Sequence, residues 1–253
     1  MITFGIDIGS VSAKAVLMEN NIIIDKELTF SGYNTVQTAE MLYKTLLTRN
    51  GIDTIEAYNV VATGYGRKNV DFAEKKITEI TCHAKGAHFL NKDIRTVIDI
   101  GGQDSKVISL DEEGNVKDFM MNDKCASGTG RFLEVMARAL EVNLDEFAEI
   151  SLASKAPAKI SSICTVFAES EVVSNIAKGN YRNDIAAGIH ASVASRVISM
   201  ANRISLNPEI MMTGGVARNK AVVSALENLL KRNIIIDELA QFTGAIGAAL
   251  FAI

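Results

Sequence analysis

The chain has 253 residues, 48% of them apolar, and its 26 Lys and Arg against 30 Asp and Glu leave a net charge of −4. That length and apolar share can bury a substantial core, as one large domain or two lobes, and the near-balanced charge gives no nucleic-acid footprint. Three cysteines, an odd number, make no disulfide framework and point to a reducing compartment; with no apolar run approaching a membrane span and a strand pattern rather than a signal peptide at the start, a cytoplasmic protein with no membrane partner is expected.

Ile2, Phe4, Ile6 and Ile8 alternate with Thr3, Gly5 and Asp7, the period of a strand. Gly9-Ser10-Val11-Ser12 then turns the chain into a second strand, Ala13 to Met18, with Asp7 just before the turn and Lys14 just after it. The turn pair Asn20-Asn21 leads to a third apolar run, Ile22 to Ile24. Val36, Ala39, Tyr43, Leu46 and Leu47 fall at helical spacing, and Gly51 closes that helix. A further strand, Ala57 to Thr63, ends in Thr63-Gly64-Tyr65-Gly66-Arg67, and Cys82 follows in a helix-like run.

The order then returns. Thr96 to Ile100 reads as a strand ending in Asp99-Ile100-Gly101-Gly102-Gln103-Asp104-Ser105-Lys106, with strands from Val107 to Leu110 and from Val116 to Met121 after it. A duplicated unit implies two pseudo-symmetric lobes, 1–95 and 96–253, with a cleft at their junction. From Arg131 to Leu206 the chain is mostly helical, Asp184 capping a run of Ile185, Ile189, Val193, Val197, Met200 and Ile204 that Pro208 ends. Ile210 to Asn219 is a strand and a glycine turn, Gly214-Gly215, opening a helix with Val222, Ala225, Leu226, Leu229 and Leu230 inward. Ile234 to Ile236 is a last strand, and Gln241 to Phe251 a helix whose Gly244 and Gly247 permit close packing.

Three glycine turns, each after an apolar strand, share one chemistry. Glycine lets backbone N–H groups approach a phosphate, and a carboxylate at the strand end can hold hydrated magnesium and position water. Asp7 with Gly9-Ser10 and Asp99 with Gly101-Gly102 are expected to face each other across the cleft. Asp7, Asp99 and Gln103 are thus the catalytic candidates, with Asp7 and Asp99 also the magnesium ligands. Gly9, Ser10, Ser12 and Lys14, together with Gly101, Gly102, Gln103 and Asp104, would bind the phosphates of a nucleotide. Gly214 and Gly215, lacking a carboxylate, suit the adenosine. The ordinary alternative, turns satisfying backbone geometry and capped by structural carboxylates, explains each alone but not their paired placement. No Gly-x-x-x-x-Gly-Lys-Ser/Thr loop is present, so this is not a P-loop protein.

The cysteines add a second chemistry. Cys125 lies in Asn122-Asp-Lys-Cys-Ala-Ser-Gly-Thr-Gly-Arg131, a polar glycine-bearing turn before an amphipathic helix with Phe132, Val135, Met136, Ala139 and Leu140 on one face. Cys164, after Ser161 and Ser162, opens another predicted helix through Ile163 to Glu169. A helix entrance favours the thiolate, the form that binds metal. Free cysteine is often only a small buried hydrophobe, and Cys82 keeps that reading. Cys125 and Cys164, in polar surroundings, are half of an iron–sulfur site.

These motifs, Gly5-Ile-Asp-Ile-Gly-Ser10, Ala62-Thr-Gly-Tyr-Gly-Arg67, Val97-Ile-Asp-Ile-Gly-Gly-Gln-Asp104, Met121-Asn-Asp-Lys-Cys125, Gly128-Thr-Gly-Arg-Phe132, Cys164-Thr-Val-Phe-Ala-Glu-Ser-Glu171, Ser192-Val-Ala-Ser-Arg196 and Met212-Thr-Gly-Gly-Val216, span essentially the whole chain. Together they resemble the ATP-dependent activators of 2-hydroxyacyl-CoA dehydratases, which are grouped with the ATPase subunits of benzoyl-CoA reductases. The resemblance implies an α/β fold of the actin, hexokinase and sugar-kinase superfamily, two ribonuclease H-like lobes around a nucleotide cleft. It also implies a homodimer sharing one oxygen-sensitive 4Fe-4S cluster, two cysteines from each subunit. The four thiolates such a cluster wants agree with two suitable cysteines per chain. The implied activity is to accept an electron from ferredoxin or flavodoxin, hydrolyse ATP and pass one low-potential electron to a dehydratase in anaerobic metabolism.

Other readings stay open at this point. A benzoyl-CoA reductase-like or double-cubane-cluster system would use the same parts. A small-molecule kinase, or a nucleotide-dependent binding module, would use the glycine turns and leave the cysteines without a purpose.

Overall fold

The alternating residues at the start of the chain form β1 (Ile2–Ile8), antiparallel to β2 (Ser12–Glu19), which is antiparallel to β3 (Ile22–Phe30). This computed structural model describes residues 1–53, 59–161 and 164–252. Of the sequence expectations, Ala57 and Tyr58 of the fourth strand and Ser162 and Ile163 before Cys164 lie outside the described residues. β1 and β2 are buried almost throughout, whereas β3 alternates, the pattern of an edge strand with one covered face.

α1 (Thr35–Arg49) supplies that cover. The Asn34 side chain accepts from the Gln37 N–H at its start, and Gly51, at φ +64°, leaves the helix in the left-handed region where glycine carries no penalty. Arg49 fastens it to β3 through Asp25 and Glu27. β4 (Asn59–Thr63) and β5 (Lys75–Lys76) then add parallel strands, giving the order β3-β2-β1-β4-β5. β5 has no strand pattern in its two lysines; the edge of β4 supplies it.

The second sheet repeats the first strand for strand. β6 (Thr96–Ile100), β7 (Ser105–Leu110) and β8 (Val116–Asn122) are antiparallel neighbours, and β9 (Ile210–Thr213) and β10 (Ile234–Ile235) run parallel to β6, in the order β10-β9-β6-β7-β8. The register repeats as well. Asp7 pairs with Lys14 and Thr63, and Asp99 with Lys106 and Thr213. Where the first half has one helix after its third strand, the second has four: α3 (Gly130–Ala139), α4 (Leu144–Leu152), α5 (Thr165–Ala177) and α6 (Arg182–Ala201). α7 (Lys220–Leu230) packs on α6, and the largest core cluster lies among these helices and β6, β7 and β9.

Three sequence expectations change in this region. Asp184 does not cap α6, which begins after Tyr181; its carboxylate accepts instead from the Ser154 hydroxyl at 2.6 Å and the Ala156 N–H. α6 ends at Ala201, well before Pro208, so proline is not its immediate stop. Leu229 is exposed, because α7 buries only Ala221, Val222 and Leu226.

Two helices cross the division at residue 96. α2 (Glu79–Leu90), reached from the first sheet, packs on β6 to β9, and α8 (Thr243–Leu250), reached from the second, packs on β1, β2 and β4. The last helix of the chain therefore covers the first sheet. α2 and α8 also pack on each other, at a distance only glycine allows. A methyl group at Gly247 would strike the Cys82 carbonyl oxygen, one at Gly86 the Thr243 carbonyl, and one at Gly5 the Ala245 carbonyl. The expected role of Gly247 is thus met, with α2 as its partner. Because every obstacle is backbone, Gly247→Ala is expected to lower the free energy of unfolding by about 1–3 kcal/mol, as overpacking does. Urea titration measures this, and unchanged stability would show that the two helices can separate freely.

Candidate functional site

Asp7 and Asp99 end the central strands of the two sheets and are both nearly inaccessible. Each lies against a glycine of the neighbouring parallel strand end: a methyl on Gly64 would sit 2.5 Å from Asp7 Oδ1, and one on Gly214 2.7 Å from Asp99 Oδ1. Both glycines have positive φ, +91° and +83°, so chain reversal and space for the carboxylate are met by one residue type. The turns that follow also match, Gly9 N–H donating to Ser12 O at 3.2 Å and Gly101 N–H to Asp104 O at 2.9 Å. Ser31 at the end of β3 braces the first turn, its hydroxyl donating to Gly9 O at 2.6 Å. The turns meet at the junction of the lobes, where a methyl on Gly102 would strike Val11 and lie 3.4 Å from Ser10 Oγ.

The other predicted residues fall around this meeting. Ser10 and Gln103 are exposed at the turn tips, and Ser12 is half-buried. The carbonyl of Ser12 also accepts from Lys14 Nζ at 3.2 Å, and that ammonium lies 3.7 Å from Asp7. Gly214 is buried beside Asp99, and Gly215 opens outward from the same strand end. The residues predicted for phosphate, magnesium and adenosine therefore stand on strand ends and turns that adjoin one another.

The cysteines occupy a different part of the second lobe. Cys125 is half-buried in the loop between β8 and α3, and Cys164 is exposed as the N-terminal cap of α5. α3 and α5 pack on each other, so the two entrances belong to one helical unit. Cys82 is buried in α2, its thiol pushed up to about 12 by burial, which leaves it inert. Among the described residues no three His, Cys, Asp or Glu side chains gather as a metal site.

Residues 4–252 match the sequence profile of the BadF/BadG/BcrA/BcrD ATPase family. The chain belongs to that family. It is 50% identical over 253 residues to the activator of lactoyl-CoA dehydratase of Anaerotignum propionicum, covering all of this chain and 97% of that one. The crystal structure of Acidaminococcus fermentans (R)-2-hydroxyglutaryl-CoA dehydratase component A superposes with a TM-score of 0.94 at 46% identity, covering 99% and 97% of the two chains. The activator of the 2-hydroxyisocaproyl-CoA dehydratase from Clostridium difficile, with bound ADPNP, gives 0.92 at 46%, covering 100% and 94%. A ROK family glucokinase from Streptomyces griseus, at 0.60 and 12% identity over 99% of each chain, shares the fold, which is that of the actin and hexokinase class of ATPases.

Within this ATPase fold four cleft residues escape sequence reading. Lys106 is 2% exposed, with its ammonium 2.7 Å from Asp104, 2.9 Å from Glu79 and 3.2 Å from Asp99. Thr213 donates to Asp99 Oδ1 at 3.0 Å, and His83 Nδ1 lies 3.1 Å from Thr213 Oγ1 and 3.4 Å from Asp99. Gly244 lies beside both His83 and Asp7: a methyl there would be 2.9 Å from His83 Nε2 and 2.9 Å from Asp7 Oδ2. A sequence signal did exist for Lys106, which follows Asp99 at the spacing by which Lys14 follows Asp7. Glu79 and His83 carry none, being ordinary positions one turn apart on a helix.

Burial would raise the Asp99 carboxyl, but His83, Lys106 and the Thr213 hydroxyl together hold it down to about 2. Burial raises Glu79, and the negative charges of Asp7 and Asp104 add to that, with Lys106 opposing. Burial would lower Lys106, but Asp99, Glu79 and Asp104 hold it above the usual lysine range. Since the folded value of Asp99 is depressed, its contribution to stability is full above about pH 4 and is lost as pH falls toward about 2. Lys106→Met strips the ammonium from three carboxylates, so it should cost about 3–5 kcal/mol at neutral pH, the range for breaking a buried ion pair. The loss should shrink toward pH 4 as the carboxylates, Glu79 first, take up protons. Chemical unfolding at pH 7.5 and pH 4.5 tests this, and an equal loss at both would refute the electrostatic account.

Proposed function

We propose that this protein is an ATP-hydrolysing activator of a 2-hydroxyacyl-CoA dehydratase, passing it one low-potential electron through an iron–sulfur cluster. The observation that carries this reading is the pair of accessible cysteines, at the entrances of two packed helices, in the lobe that also contributes Asp99 and Gly101-Gly102 to the nucleotide cleft. A kinase needs the cleft and has no use for the thiols. The names of similar proteins, activators of lactoyl-CoA and 2-hydroxyisocaproyl-CoA dehydratases, support the same partner class.

Both implied inorganic groups fit the residues present. Cys125 and Cys164 are accessible and free of disulfide, as cluster ligands must be. On the strand before Cys125 and the helix after Cys164, Phe119, Met121, Val166, Phe167, Val173 and Ile176 are exposed, Phe167 by 68%. An apolar surface of this kind calls for cover. A second copy related by a two-fold axis would provide it and bring two more thiolates, making a homodimer with one 4Fe-4S cluster. Held there, such a cluster supplies a one-electron couple. In the cleft Asp7 and Asp99 offer the hard carboxylate oxygens magnesium requires, and the ion supplies charge neutralisation to the phosphates.

The chain's own groups then divide the work. Lys14 and Lys106 place ammonium groups at the two turns, where phosphate charge accumulates. Gln103, exposed at a turn tip, can orient water for attack on the γ-phosphorus; the bond to the ADP oxygen breaks, leaving ADP, phosphate and a proton. Gly214 and Gly215 receive the adenosine. Reduced ferredoxin or flavodoxin donates the electron, and the dehydratase accepts it.

Two measurements test the reading. In protein purified without oxygen, Cys125→Ser and Cys164→Ser should each lose iron and colour and weaken the dimer, while Cys82→Ser keeps both; full iron content in Cys164→Ser would sink the cluster assignment. Asp99→Ala should lower ATP turnover by orders of magnitude at saturating ATP and magnesium, and turnover equal to that of the unaltered protein would remove Asp99 from the chemistry.

A further inference from the structure

We infer that Asn122 is the positioning residue through which bound nucleotide sets the placement of Cys125, because it clasps a loop whose two ends are both tied to the second phosphate turn. The inference rests on the nucleotide cleft proposed above and does not require the cluster.

The clasp is a single side chain. Asn122 Nδ2 donates to Cys125 O at 2.7 Å and to Ser127 O at 3.1 Å, while its Oδ1 accepts from the Cys125 N–H at 3.2 Å. The rest of the loop is equally constrained. Thr129 donates to Ala126 O from its N–H at 3.0 Å and its hydroxyl at 2.6 Å. Gly128, at φ +87°, packs so that a methyl there would be 3.1 Å from Arg196 Cβ on α6.

Both ends of this loop are fixed to the turn that follows Asp99. At the near end Asn122 is the last residue of β8 and pairs with Ser105, directly beyond Asp104. At the far end the Gly130 N–H donates to Gly101 O at 2.9 Å and the Arg131 N–H to Gly102 O at 2.8 Å. The first N–H groups of a helix have no partner within the helix. The first two of α3 are spent on the phosphate turn. Gly102 in turn packs on Val11 of the opposite turn, so any group entering between the turns must shift this contact. The shift is delivered to both ends of the Cys125 loop at once, and the Asn122 clasp passes it to the cysteine instead of letting the loop absorb it. An Asn side chain bonding nearby backbone is common in turns. What this one adds is position, since its loop closes on the phosphate turn from both sides.

Iron-free, reduced protein allows a test independent of the cluster. The alkylation rate of Cys125 by iodoacetamide, followed by peptide mass spectrometry, is compared in magnesium–ADP and in a non-hydrolysable magnesium–ATP analogue, with Cys82 as the buried reference. The unaltered protein should show a several-fold difference between the two nucleotides. Asn122→Ala should abolish the difference while leaving ATP turnover unchanged, and Asn122→Asp, which keeps the Oδ1 acceptor and loses both donors, should retain part of it. Should Asn122→Ala fail to bind nucleotide, the comparison moves to Gly130→Ala, whose methyl would lie 3.2 Å from Gly101 O and so loosen the far tie; it too should lose the difference. A nucleotide dependence of undiminished size in these variants, or none in the unaltered protein despite bound nucleotide, overturns the inference. Missing iron in anaerobic protein would instead overturn the cluster reading and leave this result standing.

Discussion

A carboxylate held ionised in the interior is the constraint on which the cleft depends. Asp99 is almost wholly removed from water, and an unpartnered charge there would cost several kcal/mol. Its partners come from three separate places, Lys106 from the next strand, Thr213 from the parallel neighbour and His83 from α2, and the missing side chain of Gly214 leaves it room. The arrangement requires β6, β7, β9 and α2 to be in register at once. Lys106 cannot serve Asp99 alone, since Glu79 and Asp104 share its ammonium. This part of the site therefore holds more negative than positive charge, as the magnesium proposed above would require.

Asp7, its counterpart, is less tightly held, with Lys14 at 3.7 Å. The pseudo-symmetry is thus one of backbone and register, and the electrostatics differ between the halves. The difference traces to α2, which starts in the cleft and gives both Glu79 and His83 to the second lobe's side. Because α2 and α8 exchange sheets and touch through glycines, the helices nearest the carboxylates also join the lobes. A rotation of one lobe against the other must pass through this contact.

The second asymmetry sets the place of the accessible cysteines. After its third strand the first half returns with α1 alone, while the second inserts α3 to α6, and the accessible cysteines stand at the mouths of α3 and α5. The cysteine region is thus an elaboration on a nucleotide-binding frame. Its attachment is short, since α3 begins by donating to the carbonyls of Gly101 and Gly102.

Much of this was legible from sequence by itself, because the deciding interactions are local. Strand alternation, glycine at positive φ and the recurrence of Asp before a glycine turn depend only on residues a few positions apart, so both turns, both carboxylates and the helix-mouth cysteines were found. Thr96–Ile100 is legible to the residue, since its apolar run is bounded by charge before and glycine after. Tertiary structure alone decided what lies between distant segments. β5 is two lysines made into a strand by the edge of β4. Asp184 prefers the Ser154 hydroxyl, 30 residues away, to capping its own helix. Glu79 and His83 became cleft residues only because α2 leaves the sheet it follows and packs on the other, and glycines at positions 5, 86 and 247 permit that crossing by close contacts no local pattern records. Periodicity can say which face of a helix is buried, but the sheet that buries it is chosen by packing across the whole chain.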